Sequence, residues 1–339
     1  MITVKRYTPE NHQTWNEFVK QSRQGTFLFD RNYMDYHQDR FHDHSLMIYY
    51  KDKLYALLPA NEVVSDSGNK VGSDSGNKVG SDSDIEISLK ELVSHQGLTY
   101  GGLLTCNKMT AALTCETFKA IGNYLKQEGF SKLTYKAIPW IYHKIPSEED
   151  LYALIHTGKA NLSTREISTT IPLQNKLRFS EQRRRGIRKA KRNQLIIRQS
   201  TPEDVLAFWN ILNNNLQQKY HTRPVHSNEE LQLLMSRFPE NIIGYSVLKD
   251  EEVIAGTILF ITPQVIHTQY IGASEKGKEE GALDLLFDYI INQKKWNAPF
   301  IDFGKSTEDR GNYLNANLIH QKEGFGGRGV VYDTYVWRL

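Results

Sequence analysis

LIIRQSTPEDVLAFWNILNNNLQQKY, residues 195–220, reads as a strand, a Thr-Pro turn and a helix, with Thr201 as N-cap and Pro202 at the first helical position. Residues 2–22, ITVKRYTPENHQTWNEFVKQS, open the chain in the same way. Two copies of one opening, in a chain of 339 residues that has room for two cores, predict a duplicated domain.

Working outward, each copy continues in one order. A hairpin follows in SLMIYYKDKLYALLPA, turning at Lys51-Asp52, and again in IIGYSVLKDEEVIAGTILF, turning at Lys249-Asp250. Next comes an aromatic strand ending in glycine, GLTYGG at 97–102 and HTQYIG at 267–272. Amphipathic helices are expected at 110–128 and 281–295, then a last strand, KLTYKAIP or PFIDFGKST. Tyr100 and Tyr135 are 35 residues apart and Tyr270 and Phe303 are 33 apart, so the two halves keep step there. The first half is longer because an eight-residue unit, SDSGNKVG, repeats from Ser65 to Asp84. Its polar composition predicts a flexible insertion at about 62–92. Calcium binding is the sharper reading of that unit, but the closing Glu of an EF-hand is missing. The domains are expected at 1–160 and 161–339.

Composition is that of a soluble globular protein, with 39% hydrophobic and 24% charged residues. No apolar run suggests a spanning helix and MITVKRYTPENHQTW lacks a signal-peptide core, so a cytoplasmic protein without an integral membrane segment is expected. Cys106 and Cys115 read as small apolar residues, and no metal site is expected. Charge is unevenly spread. Lys176 to Arg192 carries nine Lys or Arg and one Glu, whereas the whole chain is +3, which leaves the remainder at −5. A long polyanion would meet repulsion over most of such a surface, so DNA is not an expected partner.

The order strand, helix, hairpin, strand, Gly-rich turn, helix, strand resembles the GNAT acyltransferase fold. Two such domains in tandem resemble the FemABX-like group, which includes peptidoglycan aminoacyltransferases. The resemblance is carried most specifically by EQRRRGIRKAKRNQLIIRQST, Glu181 to Thr201, and by NANLIHQKEGFGG, Asn315 to Gly327. It implies an α/β (α+β) fold of two tandem GNAT-like domains, each a mixed, mostly antiparallel sheet flanked by helices. It also implies an N-acyltransferase, with acetyl-CoA or another acyl-CoA as donor and the second domain as its binding site. The implied acceptor is a small-molecule, lipid-linked or nucleotide-linked amine on an anionic cell-envelope or polysaccharide precursor. The long helical hairpin of some tRNA-using members has no counterpart between Arg192 and Ile242. The Gln/Arg-x-x-Gly-x-Gly/Ala pattern is not intact. Aminoacyl transfer from charged tRNA and a non-catalytic ligand-binding module remain as alternatives.

Candidate site residues follow from chemistry and from the resemblance. In GASEKGKEEGALD a strand runs through a Gly-rich turn into a helix, which leaves backbone N–H groups aimed at a pyrophosphate. Gly272, Ser274, Lys276, Gly277 and Gly281 are therefore donor-binding candidates. A plain strand-to-helix connection with solvated charges fits the same residues. On the basic helix Arg184 and Arg188 fall on one side and Ile187 and Ala190 on another. The two arginines are candidates for an anionic acceptor or donor, against a merely solvated face. His221 and Arg223 are candidates for the acceptor cleft, while Ser227 and Glu230 form a capping box. Asp302 and Glu308 are candidate bases and Tyr270 a candidate acid. His267 and Gln269 are expected on one strand face with Tyr270 on the other. Gln269 is a candidate acceptor contact, and His267 reads best as a satisfied strand histidine. The resemblance implies that Lys322 touches substrate or donor phosphate. A lysine in a helix's last turn is also favoured by the dipole.

Overall fold

A computed structural model describes residues 1–65 and 89–339. From Asp66 on, the repeat lies outside the described residues, as does any reading of it as a calcium site. The chain divides into two compact units. One comprises Met1–Ile138, Pro146–Ser163 and Asp333–Leu339, and the other Pro139–Ile145 and Thr164–Tyr332.

The first unit contains β1 (Ile2–Arg6), α1 (His12–Gln21), α2 (Arg31–Met34), β2 (His42–Asp43), β3 (Leu46–Tyr50) and β4 (Lys53–Leu58). It continues through β5 (Asn61–Ser65), β6 (Leu89–Val93), β7 (Leu104–Thr105), α3 (Ala111–Gln127), β8 (Phe130–Lys136) and α4 (Glu149–His156). One sheet has the order β1-β3-β4-β7. Elsewhere in the unit β5 pairs with β6 antiparallel and β6 with β8 parallel. The β3–β4 hairpin turns at Lys51 and Asp52, both at positive φ, as the sequence predicts. Residues 97–102 are not the expected strand. Gly102 sits at φ +95°, and a Cβ on Gly101 would fall 1.8 Å from the Ser94 carbonyl, so this backbone is bent rather than extended.

The second unit contains β9 (Asn161–Pro172), α5 (Glu181–Arg192), β10 (Ile196–Gln199), α6 (Pro202–Tyr220), α7 (Asn228–Arg237), β11 (Ile242–Lys249), β12 (Glu252–Ile261) and β13 (Val265–Ala273). Then follow α8 (Glu275–Glu280), α9 (Ala282–Asp288), β14 (Phe300–Lys305), β15 (Thr307–Glu308), β16 (Tyr313–Leu314), α10 (Ala316–Glu323) and β17 (Arg328–Arg338). Of β9 only the residues from Thr164 on, and of β17 only those up to Tyr332, belong to this unit; the rest belong to the first. The sheet order is β10-β11-β12-β13-β14-β9-β17. The β13–β14 pairing is parallel, while β10–β11, β11–β12, β12–β13 and β14–β9 are antiparallel. This mixed, mostly antiparallel architecture is the expected class. Thr201 and Asp204 close a capping box at the start of α6, and Ser227 and Glu230 another at α7.

Two local expectations change. The Gly-rich turn holds a short helix of its own, α8, and Gly281, at φ 75° and with no room for a Cβ beside the Gly186 carbonyl, separates it from α9, which begins at Ala282 where the helix of 281–295 is expected. The faces of β13 also differ. Opposite β12, Tyr270 faces Ile258 while Thr268 faces Leu259, so Gln269 is an extra residue. His267 and Tyr270 therefore oppose Phe260 and Ile258, two positions apart, and share one face.

A buried carboxylate sits where the strands of this sheet meet. Asp302, on β14, is fully buried. Its Oδ1 accepts from Ser168 Oγ at 2.5 Å and Thr170 Oγ1 at 2.8 Å, both on β9. Its Oδ2 lies 2.9 Å from His267 Nδ1 on β13 and accepts from Tyr332 OH on β17 at 2.8 Å. The Gly304 N–H reaches Oδ2 at 3.3 Å. Burial raises the carboxyl's pKa, but the His267 hydrogen bond and charge, with the two hydroxyls, outweigh it and hold Asp302 below the usual aspartate range. Such a group adds stability above its unfolded pKa of about 3.9 and loses it as pH falls through the lower folded value. Asp302→Asn turns one acceptor oxygen into a donor against these donors. In denaturant titrations it should cost about 3 kcal/mol at neutral pH, and the gap to wild type should narrow in acid. Parallel curves across the acid range would contradict this account.

Candidate active site

The pairing of β13 with β14 covers only Val265–His267 against Phe300–Asp302. Beyond that point β13 runs on to Ala273 with its β14-facing edge unpaired, and a cavity of about 840 Å3 opens beside it. Ile271, Gly272 and Ala273 line the cavity from β13, and Phe303 from β14. Gly277, Lys278, Gly281, Leu283 and Phe287 close it from α8 and α9, and Leu318, Gln321 and Lys322 from α10. Gln182 and Arg183 enter from α5, and Asn215, Gln218 and Lys219 from α6. The wall is thus mixed, with an apolar strip of Ile271, Leu283, Phe287, Phe303, Leu318 and Phe325, with Arg183, Lys219, Lys278 and Lys322 as its cations, and with Asp284 as its carboxylate.

The local backbone explains the glycines. A Cβ on Gly277 would stand 2.3 Å from the Ile254 carbonyl, so only glycine lets α8 lie this close to β12. Ser274 caps α8, accepting from Gly277 N–H and donating to the Ile254 carbonyl. Arg183 bonds Asp284 at 2.5 Å and lies over the Phe325 ring. Burial raises the Asp284 pKa against the opposing charge and hydrogen bond of Arg183. Lys322 Nζ donates at 2.8 Å to the carbonyls of Gly304 and of Lys305. Burial brings this ammonium down to about 8, with the Asp302 charge opposing.

Of the donor-binding candidates, Gly272, Gly277, Gly281 and Lys322 line the cavity. Ser274 is occupied as a cap, and Lys276 pairs with Glu252 at 2.9 Å, away from the cavity wall. Arg184 and Arg188 both pair with Glu181 on the outer side of α5. Their neighbour Arg183 is the residue that reaches the cavity. It was legible as the position four before Ile187 and seven before Ala190, on the helix's buried stripe. His221, at the left-handed C-cap of α6, and Arg223 are exposed. Buried His226 instead meets the Tyr270 hydroxyl at 2.5 Å, and Trp209 packs edge-on to that ring at 4.8 Å. Gln269 is half-buried at the bulge, and its Oε1 has no hydrogen-bond partner among the described residues. Glu308 is exposed and accepts from Asn315 Nδ2 at 2.7 Å.

Asp302, Glu308 and Tyr270 do not line the cavity. The Asp302 carboxylate instead anchors His267, whose side chain keeps 11% of its surface exposed. With Nδ1–H directed at Asp302, the Nε2 lone pair is left for another proton. Tyr142 OH stands 3.3 Å from the same Nδ1 and 3.1 Å from Tyr332 OH, which completes a polar cluster around the ring. Gly304 lies against this ring, since a Cβ there would come 3.3 Å from His267 Cε1, and its carbonyl holds Lys322. Ser168, Thr170, Tyr142 and Tyr332 carry no sequence signal for this role, because they come from three distant segments.

Residues 178–309 match the model of an acetyltransferase (GNAT) domain. No curated protein matches the chain. Among solved structures, the crystal structure of FemX aligns at 9% identity and TM-score 0.66, over 99% of this chain and 97% of that one. L-PGS from Bacillus licheniformis aligns at 12% identity and TM-score 0.55, over 98% of this chain and 93% of that one. A conserved protein of unknown function from Bacteroides thetaiotaomicron aligns at 14% and TM-score 0.57, over the whole of both chains. At these identities the likeness is one of fold. Residues 178–309 therefore carry a GNAT-type acetyltransferase domain, in a chain whose fold is similar to that of FemX.

Proposed function

We propose that this chain transfers an acyl group from an acyl-CoA to an amine on an anionic cell-envelope or polysaccharide precursor. The observation that carries this reading is the cavity beside the unpaired edge of β13, which joins an apolar strip to a group of cations. Its apolar strip suits an extended acyl-bearing arm, and Arg183, Lys219 and Lys278 suit the phosphates at the other end. Unpaired N–H groups of the β13 edge suit the developing oxyanion. Lys322, at about 8, is matched to a departing thiolate, whose ordinary value is about 8.5, and returns its proton. His267 takes the amine's proton at Nε2, and Asp302 positions the ring. His221 and Arg223 are proposed acceptor contacts from the α6–α7 connection.

Isothermal titration with acetyl-CoA should give one site, and Lys278→Ala should weaken it roughly tenfold. Activity should survive ribonuclease; activity that needs RNA and is lost on ribonuclease treatment would transfer the donor role to an aminoacyl-tRNA. No heat with acetyl-CoA or other acyl-CoAs from folded protein would remove the acyl-CoA reading.

Turnover should fall on the alkaline side above about 8, where Lys322 loses its proton. His267→Gln should lower kcat by about 100-fold with donor affinity unchanged. An undiminished kcat would place the base elsewhere.

A further inference from the structure

The nine cations between Lys176 and Arg192 are not equivalent. Lys176 is tied to the Ile291 carbonyl and Asn292, Arg183 to Asp284, Arg184 and Arg188 to Glu181, and Lys191 to Asp288 at 3.5 Å. Arg178, Arg185, Lys189 and Arg192 are exposed and have no ion-pair partner among the described residues. The nearby carboxylates make their close pairs elsewhere, Glu181 with two arginines and Glu280 with Lys249 and Asn193, and reach Arg185 and Lys189 only through longer-range attraction.

Position sorts the two groups. At 3.6 residues per turn, Arg185, Lys189 and Arg192 fall within an arc of roughly 60° on α5. Ile187 and Ala190, the buried residues of this helix, lie on the opposite side. The untied cations therefore point away from the core, with the Arg188–Glu181 pair beside them on the outer side, whereas Arg183 reaches inward. Leu177 is 47% exposed and Ile196 is 58% exposed, each four residues beyond an end of the helix.

We propose that this outer face of α5 docks the protein onto an anionic lipid bilayer as a peripheral contact. Among the described residues no helix is long and apolar enough to cross a membrane, so this is surface association. Charge complementarity favours the assignment, because clustered Lys and Arg on a helix face are attracted to anionic headgroups. The remainder of the chain, at −5, is repelled by such a surface and leaves α5 as the side that approaches. Exposed aliphatic side chains at both ends suit insertion among headgroups. A single-stranded nucleic acid would need aromatic platforms, and Phe179, the one aromatic residue from 176 to 196, is buried.

The test is flotation of the whole protein with vesicles of phosphatidylcholine alone or containing one-third phosphatidylglycerol. Wild type should bind the anionic vesicles at least roughly tenfold better at low salt, with the preference fading as salt rises. The triple variant Arg185→Glu, Lys189→Glu, Arg192→Glu should lose that preference while keeping the wild-type thermal midpoint, since none of these side chains packs inside. Equal flotation of variant and wild type, or no anionic preference in wild type, would overturn the proposal. So would tighter binding to a short RNA that strips wild type from the vesicles.

Discussion

A negative charge with no contact to water organises the second unit. Asp302 is tolerable there because hydroxyls from β9 and β17, a ring nitrogen from β13 and one backbone N–H all point at two oxygens. The donors come from β9, β13, β14 and β17, so the charge ties four strands together at once. It also marks the end of an alignment: β13 and β14 pair up to His267 and Asp302 and no further. The opening that follows is where a cavity forms, so the element that makes the sheet rigid is also the boundary of its gap.

That arrangement separates two kinds of ionic chemistry. Around Asp302 the partners are fixed hydrogen bonds within the sheet. Around the cavity Asp284 answers half-buried Arg183 and two carbonyls answer buried Lys322, while Lys219 and Lys278 are exposed and Lys278 pairs with Glu275. A lysine held by neutral carbonyls gives up its proton more readily than one held by a carboxylate. The same burial that lines the cavity therefore sets the proton affinity of the residue in its wall.

Local signals carried much of the fold. Thr201-Pro202 and the Ser227–Glu230 box mark helix starts with side chains that must satisfy free N–H groups, and both stand as read. The Gly-rich turn and Lys322 were likewise legible, because glycine and a terminal lysine speak about backbone approach and charge close by. The rest depended on distance. That Asp302 is wrapped rather than exposed needs Ser168, Thr170 and Tyr332, from segments the sequence gives no reason to bring together. That Arg183 and not Arg184 meets the cavity turns on a single step of helix rotation, although Ile187 and Ala190 already encoded that step. That the Gly-rich turn winds into α8 before Gly281 depends on how closely it packs on the Ile254 and Gly186 carbonyls.

The bulge in β13 shows how little is needed to rearrange such a strand. Replacing Gln269 would change only what one side chain offers, whereas removing the residue would change the count between His267 and Tyr270. With that residue removed the rings would stand two positions apart and plain alternation would already place them on one side; with it they are three apart, and only the bulge keeps them together. In this strand the local bulge, and not the alternation of the chain, decides which side each ring faces.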